Sequence, residues 1–288
     1  MQIGRARIPG LSSWRHLYSF LGTPLVARTD VEQTTDRLLE EALRASRMGV
    51  LVLPWLGEDG PVAAALLAAL ERRGRRPSLH RSFERAVIHR PALADGAGAL
   101  ISSRHRRDLG RLSRRLAEAL GGPLELRDES GSGAGVDEFM SLEASGWKGE
   151  RGTAIGSRPA HARFFRELCD GFRATGRLQM LAFGTAERTV SYQCNLLSGD
   201  AVFRFKIAFD ESFAHYRPGL QLEVRMLDQF RDEMRQSWVD SCADPDSPLF
   251  KNFWPERRPI GSYVLAASRA VGWTIDHGAP RIASLDRR

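Results

Sequence analysis

Lysine, cysteine and tyrosine are scarce in this chain, and no long apolar run occurs in it. Of 42 basic residues only Lys148, Lys206 and Lys251 are lysines. The three cysteines, Cys169, Cys194 and Cys242, are odd in number and widely spaced, which argues against a disulfide framework or a zinc knuckle. They read as buried, reduced thiols of a cytoplasmic protein. The longest strongly apolar run, Pro61 to Leu70, has ten residues. A helix needs about 20 to cross a bilayer, so no membrane span is expected. Arg5, Arg7 and Arg15, with no apolar stretch between them, make a poor secretory signal. Gly-x-Ser-x-Gly, His-Glu-x-x-His and metal-spaced histidines are all missing, which weakens hydrolase and metalloenzyme readings and predicts no metal. Gly131-Ser132-Gly133 would need a third glycine at position 136, where Val136 stands. The dinucleotide fingerprint therefore fails, and a flexible loop is expected.

The remaining composition is globular: 288 residues, 42% hydrophobic and 27% charged. That length allows one large domain or two smaller ones. The net charge of +7 is uneven, because residues 1–125 carry 20 arginines against 13 acids. Arginine bias in the whole chain is a sufficient cause. Lysine, a compact and rotatable ammonium, stands out where this chain keeps it.

The first half reads as alternating helix and strand. A helix over 31–47 follows Asp30, a strand Val50–Leu53 ends at Pro54, a helix runs from Pro61 to Arg73, and a strand covers Ala86–Ile88. The strongest helical pattern is 103–120, where Leu109, Leu112, Leu116 and Leu120 form one stripe and six arginines cover the rest. Without interleaved aromatics this is a solvated face rather than a nucleic-acid site, and no DNA partner is expected. A strand Leu124–Arg127 opens the second half, with helices over 137–145 and 159–175. Strands Leu178–Phe183, Thr189–Leu196 and Ala201–Phe209 are joined by turn-rich linkers, so antiparallel pairing is expected. A helix from Gly219 to about Arg235, a short strand at Trp238-Val239 and a late strand over 260–267 complete the pattern. In the strand Ala201–Phe209, strict alternation puts Phe203, Phe205 and Ile207 on one face and Arg204, Lys206 and Ala208 on the other. Lys206 then faces either a cleft or water.

From residue 124 the order is strand, two helices, three antiparallel strands, helix, strand. Residues from about 101 to 260 resemble the CelD-like branch of the GNAT acyltransferases, and more distantly the Fem-type aminoacyl transferases. The residues that carry the likeness are the basic helix Ser103–Leu120, Leu142-Glu143-Ala144-Ser145-Gly146-Trp147-Lys148-Gly149, the strand Phe203–Asp210, the turn His215-Tyr216-Arg217-Pro218-Gly219, and Trp238–Ser241 with Phe253-Trp254-Pro255 after it.

The resemblance implies an α/β fold with a largely antiparallel central sheet. It implies a GNAT-type acyltransferase domain at 123–288, with 1–122 as a degenerate GNAT-like companion. Acetyl-CoA or another acyl-CoA would be the co-substrate, with a small-molecule or saccharide acceptor in polysaccharide or cell-envelope biosynthesis. In the Fem-like alternative the donor is an aminoacyl-tRNA; a non-catalytic accessory protein is the third reading. The usual Gly-x-Gly phosphate turn is reduced here to Tyr216-Arg217-Pro218-Gly219-Leu220-Gln221, with one glycine. Tyr216, Arg217, Gly219 and Leu220 are the candidate cofactor contacts, because helix-start amides can hold a pyrophosphate. Glu143, Asp210, Asp240 and His215 are candidate bases and Tyr216 the candidate acid. Trp147, Lys148, Tyr192 and Lys206 are candidate acceptor contacts, and Tyr192 could stand close to Lys206.

Overall fold

The protein is described by a computed structural model covering residues 2–3, 6–7, 10–46 and 49–266. In chain order it forms β1 (Gln2–Ile3), β2 (Ala6–Arg7), β3 (Gly10–Ser12), α1 (Val31–Ala45), β4 (Val50–Gly57), α2 (Pro61–Arg72) and β5 (Ser78–His89). Then come α3 (Ser103–Leu120), β6 (Glu125–Asp128), α4 (Ala134–Ala144), α5 (Trp147–Glu150), α6 (Pro159–Ala174), β7 (Leu178–Gly184), β8 (Thr189–Ser198) and β9 (Ala201–Phe209). The last elements are α7 (Pro218–Glu233), β10 (Trp238–Asp240), α8 (Pro248–Lys251) and β11 (Glu256–Ala266). Arg47 and Ala267, ends of two expected elements, lie outside the described residues.

The described residues fall into two compact units, those of Met1–Arg85 with Arg258–Arg288, and those of Ala86–Arg257. The chain passes between units within β5 and again within β11. A division at 122/123 would cut through the second unit. The reason is visible in α3, whose Leu116 is fully buried in one core with Leu181, Phe183, Val202, Met226 and Phe230. Burying a leucine contributes roughly 1.5–3 kcal/mol, so α3 cannot be parted from that core cheaply. The arginines at 104, 106, 107, 111, 114 and 115 are all exposed, as the helical pattern predicts. Ser102 caps the start of α3 by accepting from the His105 N–H, and Gly121, at φ 75°, ends it in the left-handed conformation.

In the first unit β3 lies parallel to β4, and β4 antiparallel to β11. β4 does not stop at Pro54. The ladder shifts register between Gly261 and Tyr263, so Pro54 and Trp55 pass opposite the single residue Ser262. Trp55 takes φ 54°, and its N–H donates to the Ser262 hydroxyl at 3.2 Å. A bulge thus carries the strand past a residue that cannot donate to the ladder.

In the second unit the strand order is β5-β10-β9-β8-β7-β6. β6 to β9 pair antiparallel in succession, β9 and β10 pair parallel, and β10 pairs antiparallel with the end of β5. This is the mixed, largely antiparallel sheet that the sequence order predicts. Helices α4 and α6 pack on one face and α7 on the other. Arg90 caps the end of α7, donating to the carbonyls of Phe230 and Met234 at 2.6 Å each and also to those of Arg231 and Gln236.

The strict alternation expected along β9 fails. Cys194 pairs with Lys206 and Asn195 with Arg204, leaving Phe205 as an extra residue. Phe205 stacks on Phe165 of α6, and Lys206 reaches Glu143 of α4, so both face the same side. Arg204 lies on the α7 side against Glu223, and Ile207 belongs to the core there. The bulge therefore places Lys206 over α4 without giving up an aromatic core position.

Candidate functional site

The site begins where two parallel strands part. β9 and β10 pair over only three residues, Ala201–Phe203 against Trp238–Asp240. Beyond this β9 runs on to Phe209, whereas the other chain turns away at Cys242, which takes φ 50°. Asp240 holds that turn. It is fully buried, and its carboxylate accepts from the Cys242 N–H at 2.8 Å. The result is a notch beside β9 from Arg204 onward.

At the open end of β9 the chain forms a 3-10 turn, Glu211–Tyr216, and enters α7. Asp210 caps the turn, its carboxylate accepting from the Ser212 N–H at 3.0 Å, the Ser212 hydroxyl at 2.6 Å and Arg188 at 3.1 Å. Burial alone would raise the Asp210 pKa, but these donors outweigh it and hold the carboxyl below its ordinary value. Arg217 adopts the left-handed conformation, at φ 55° and ψ 50°, which turns its carbonyl back over α7. That carbonyl accepts from the N–H groups of both Leu220 and Gln221 at 3.1 Å. Two of the expected amide donors are thus already occupied, and Pro218 has none. Gly219 is the first-turn donor left, and a Cβ placed there would meet Ile207 at 3.6 Å and Phe209 at 3.8 Å, ordinary contact distances. The Leu220 side chain packs on the core beside the half-buried Tyr216. The Arg217 guanidinium is half-exposed and 3.9 Å from Asp108 of α3. The His215 ring lies 3.8 Å from that of Tyr216, centroid to centroid.

Across the face from α7, Glu143, Lys148 and Lys206 converge. The Glu143 Oε1 accepts from Lys206 Nζ at 2.8 Å and Lys148 Nζ at 3.0 Å, and its Oε2 accepts from the Ile155 N–H at 2.7 Å. Its side chain is wholly buried. Burial would raise the Glu143 pKa; the two ammonium groups and the Ile155 N–H reverse that and hold it below its ordinary value. Lys206 is pushed down by burial, with Glu143 opposing the shift. Lys148 Nζ also donates to the Ile207 carbonyl at 3.2 Å, tying α5 to β9. The glycines around Trp147-Lys148 allow this. A Cβ at Gly149 would come within 1.8 Å of the Ala144 carbonyl oxygen, and one at Gly146 within 2.5 Å of a Glu211 oxygen. Trp147 is 45% exposed, with the Arg151 guanidinium 5.1 Å over its ring. The Trp147 backbone N–H donates to Glu211 at 2.9 Å.

Tyr192 does not join the lysines. It pairs with Ala208, one step along the sheet from Cys194 and Lys206. Its hydroxyl donates to Glu138 at 2.5 Å, and burial first, then this carboxylate, pushes its pKa well up. It borders a polar groove of about 770 Å³ that also takes in Arg127, Ser141, Ser145 and Arg188. The sequence marks Glu143 as a candidate base and Lys148 and Lys206 as candidate acceptor contacts, with no sign that the three touch. Glu211, Glu138 and Arg188 escape the sequence reading, since a lone charged residue carries no signal of its partner. The buried pair Arg204–Glu223 was missed for the same reason. Among the described residues, no group of three or more His, Cys, Asp or Glu side chains is placed to hold a metal. No helix among them is long and apolar enough to cross a membrane.

Solved structures share this fold at low identity. FemX is similar with a TM-score of 0.56 and 13% identity, over 88% of this chain and 82% of that one. A conserved protein of unknown function from Bacteroides thetaiotaomicron gives 0.55 and 14%, over 81% and 75%. The C-terminal domain of an assigned lysylphosphatidylglycerol synthetase from Agrobacterium fabrum gives 0.52 and 14%, over 91% and 80%. A sequence comparison with curated proteins found no match. The acetyltransferase (GNAT) domain family matches residues 103–246, half of the chain, and the notch between β9 and β10 with α7 behind it falls inside that match. The chain accordingly belongs to the GNAT acetyltransferase family.

Proposed function

We propose that the second unit transfers an acyl group, the acetyl group foremost, from acyl-CoA to an amine or hydroxyl, and that it is of the CelD-like type linked to polysaccharide or cell-envelope biosynthesis. The observation that carries this reading is the parting of β9 and β10 beyond Phe203 and Asp240, directly before the start of α7. A thioester arm laid in that notch meets a stretch of β9 that β10 does not pair, where Lys148 holds the Ile207 carbonyl, and its phosphates meet Gly219 and Arg217 at the positive end of the helix. The acceptor attacks the thioester carbonyl and gives its proton to a carboxylate base, Asp210 or Asp240, the carbon–sulfur bond breaks, and the Tyr216 hydroxyl gives its proton to the departing thiolate. Glu143 serves to fix Lys148 and Lys206, whose ammonium groups orient the acceptor together with Trp147. Asp210 and Asp240 remain the carboxylates nearest the two strand ends, and Asp210, though held below its ordinary pKa, is the more open of them. Tyr192 borders the groove through which a saccharide acceptor would enter. In this reading residues 1–122 are a degenerate GNAT-like companion, with α3 lent to the core of the second unit.

Gly219→Val tests the phosphate site. The added Cβ has room, so the melting temperature should move little, while the extra methyls cover the remaining amide. Charge-assisted hydrogen bonds are worth roughly 1.5–3 kcal/mol, so CoA affinity measured by calorimetry should fall about 10- to 150-fold. Wild-type affinity in a folded variant would move the phosphate site elsewhere.

A further inference from the structure

The first unit holds a cavity that acyl transfer in the second leaves unused. Its volume is about 280 Å³, and among the described residues no aromatic ring or charged side chain lines it. Leu39, Leu51, Leu53 and Leu66, all in the buried core of this unit, form its walls. Leu11 and Leu38, 40% and 48% exposed, mark its opening. Three hydroxyl residues also line it, and of these Ser12 is spoken for, its Oγ donating to the Ser13 carbonyl at 3.2 Å. Thr35 is 5% exposed and its Oγ1 has no hydrogen-bond partner, and the Ser13 Oγ is buried and likewise unpartnered. Buried polar atoms are bonded in the great majority of cases, and a helical threonine ordinarily turns its hydroxyl to the preceding turn. Thr35 does not.

We propose that this cavity binds a medium-chain acyl group, with the hydroxyls of Thr35 and Ser13 donating to its carbonyl oxygen. A methylene takes up roughly the ~30 Å³ of a water molecule, so the space suits a chain of about nine carbons. The aliphatic walls fit a saturated chain. With no countercharge among the described residues that line it, the cavity favours an ester, thioester or amide carbonyl over an ionised carboxylate at the head. Water alone is a poor occupant, because it needs two to four polar partners and only the hydroxyls offer them. The site rests on no part of the acyl-transfer reading and can fail or stand without it.

The test is a titration of the full chain with methyl hexanoate, octanoate, decanoate and dodecanoate, followed by the methyl NMR signals of its leucines. Affinity should rise about fourfold per added methylene and level off near nine carbons. Thr35→Val keeps the shape and removes an unpartnered hydroxyl, so it should weaken binding about 2- to 12-fold while the melting temperature holds or rises. Leu38→Trp, at the exposed rim, should close the opening and abolish binding. Absence of saturable binding, affinity independent of chain length, or wild-type affinity in either variant would overturn the proposal.

Discussion

Replacing Glu143 by alanine is expected to destabilise the second unit by about 3–5 kcal/mol, because it strands two partly buried ammonium groups around an empty space. Lys148 and Lys206 have side chains only 28% and 17% exposed, and one carboxylate oxygen serves both. Glu143→Gln keeps the shape and the Ile155 contact but still loses the charge, so it should destabilise less than alanine and more than a surface change. Lys206→Met is expected to lower the melting temperature as well. From the sequence alone this substitution reads as nearly neutral for stability, since no partner for Lys206 is evident there. The pH dependence has a definite sign. The folded Glu143 pKa lies below its ordinary value of 4.5. Its contribution is therefore complete above about 4.5 and is lost as acid carries the pH through the lower folded value. Differential scanning calorimetry of wild type and Glu143→Gln across that range measures it. Equal stability of the two proteins would remove Glu143 from the role of anchor and restore it as a candidate base.

Glu223→Ala should be as damaging, from the opposite face of the sheet. Arg204 and Glu223 form an ion pair with side chains 4% and 0% exposed, and the guanidinium lies 4.7 Å over the Phe250 ring. Removing the carboxylate leaves a buried cation with no countercharge, a loss of about 3–5 kcal/mol. The double change Arg204→Met with Glu223→Leu should recover most of it, because apolar packing often replaces a buried pair at little cost. Burial pushes the Glu223 pKa up to about 7, with Arg204 opposing. The folded state then binds more protons than the unfolded chain between about 4.5 and 7, so this group favours folding at the acid end and loses that contribution as pH rises to 7. The span is on the order of 3 kcal/mol. Its direction is opposite to that of Glu143, so Glu223→Gln should flatten the loss between pH 5 and 7 without altering the acid limb. A Glu223→Gln profile parallel to wild type would contradict the assignment.

These two clusters also mark how far the sequence could be read. Helix α3, the strands β7 to β9 and the turn before α7 follow from leucine spacing, turn residues and a proline at a helix start, all local signals. β4 was cut short because a proline reads as a stop, and only the bulge at Ser262, about 200 residues later, permits it to continue. Lys206 stands out because lysine is rare here, yet strict alternation misplaces its face, since one extra residue, Phe205, breaks the pattern. Glu143 was noted for its motif, but its partnership with Lys206 lies across 63 positions. Arg204 and Glu223 look like ordinary surface charges until the fold buries both. Long-range pairing of charges is decided by packing, and packing is what a local pattern does not contain.

The most direct measurement of the central claim is competition between acetyl-CoA and aminoacyl-tRNA for the full chain. Calorimetric titration of acetyl-CoA would be run with and without the RNA, at roughly 50 and 200 mM salt, where phosphate-dominated binding loses about 10³–10⁵ in affinity. An acyl-CoA-dependent transferase gives saturable acetyl-CoA binding at both salt concentrations, and RNA association that collapses at the higher one without displacing acetyl-CoA. Tight, salt-resistant RNA binding with no heat from acetyl-CoA would contradict it.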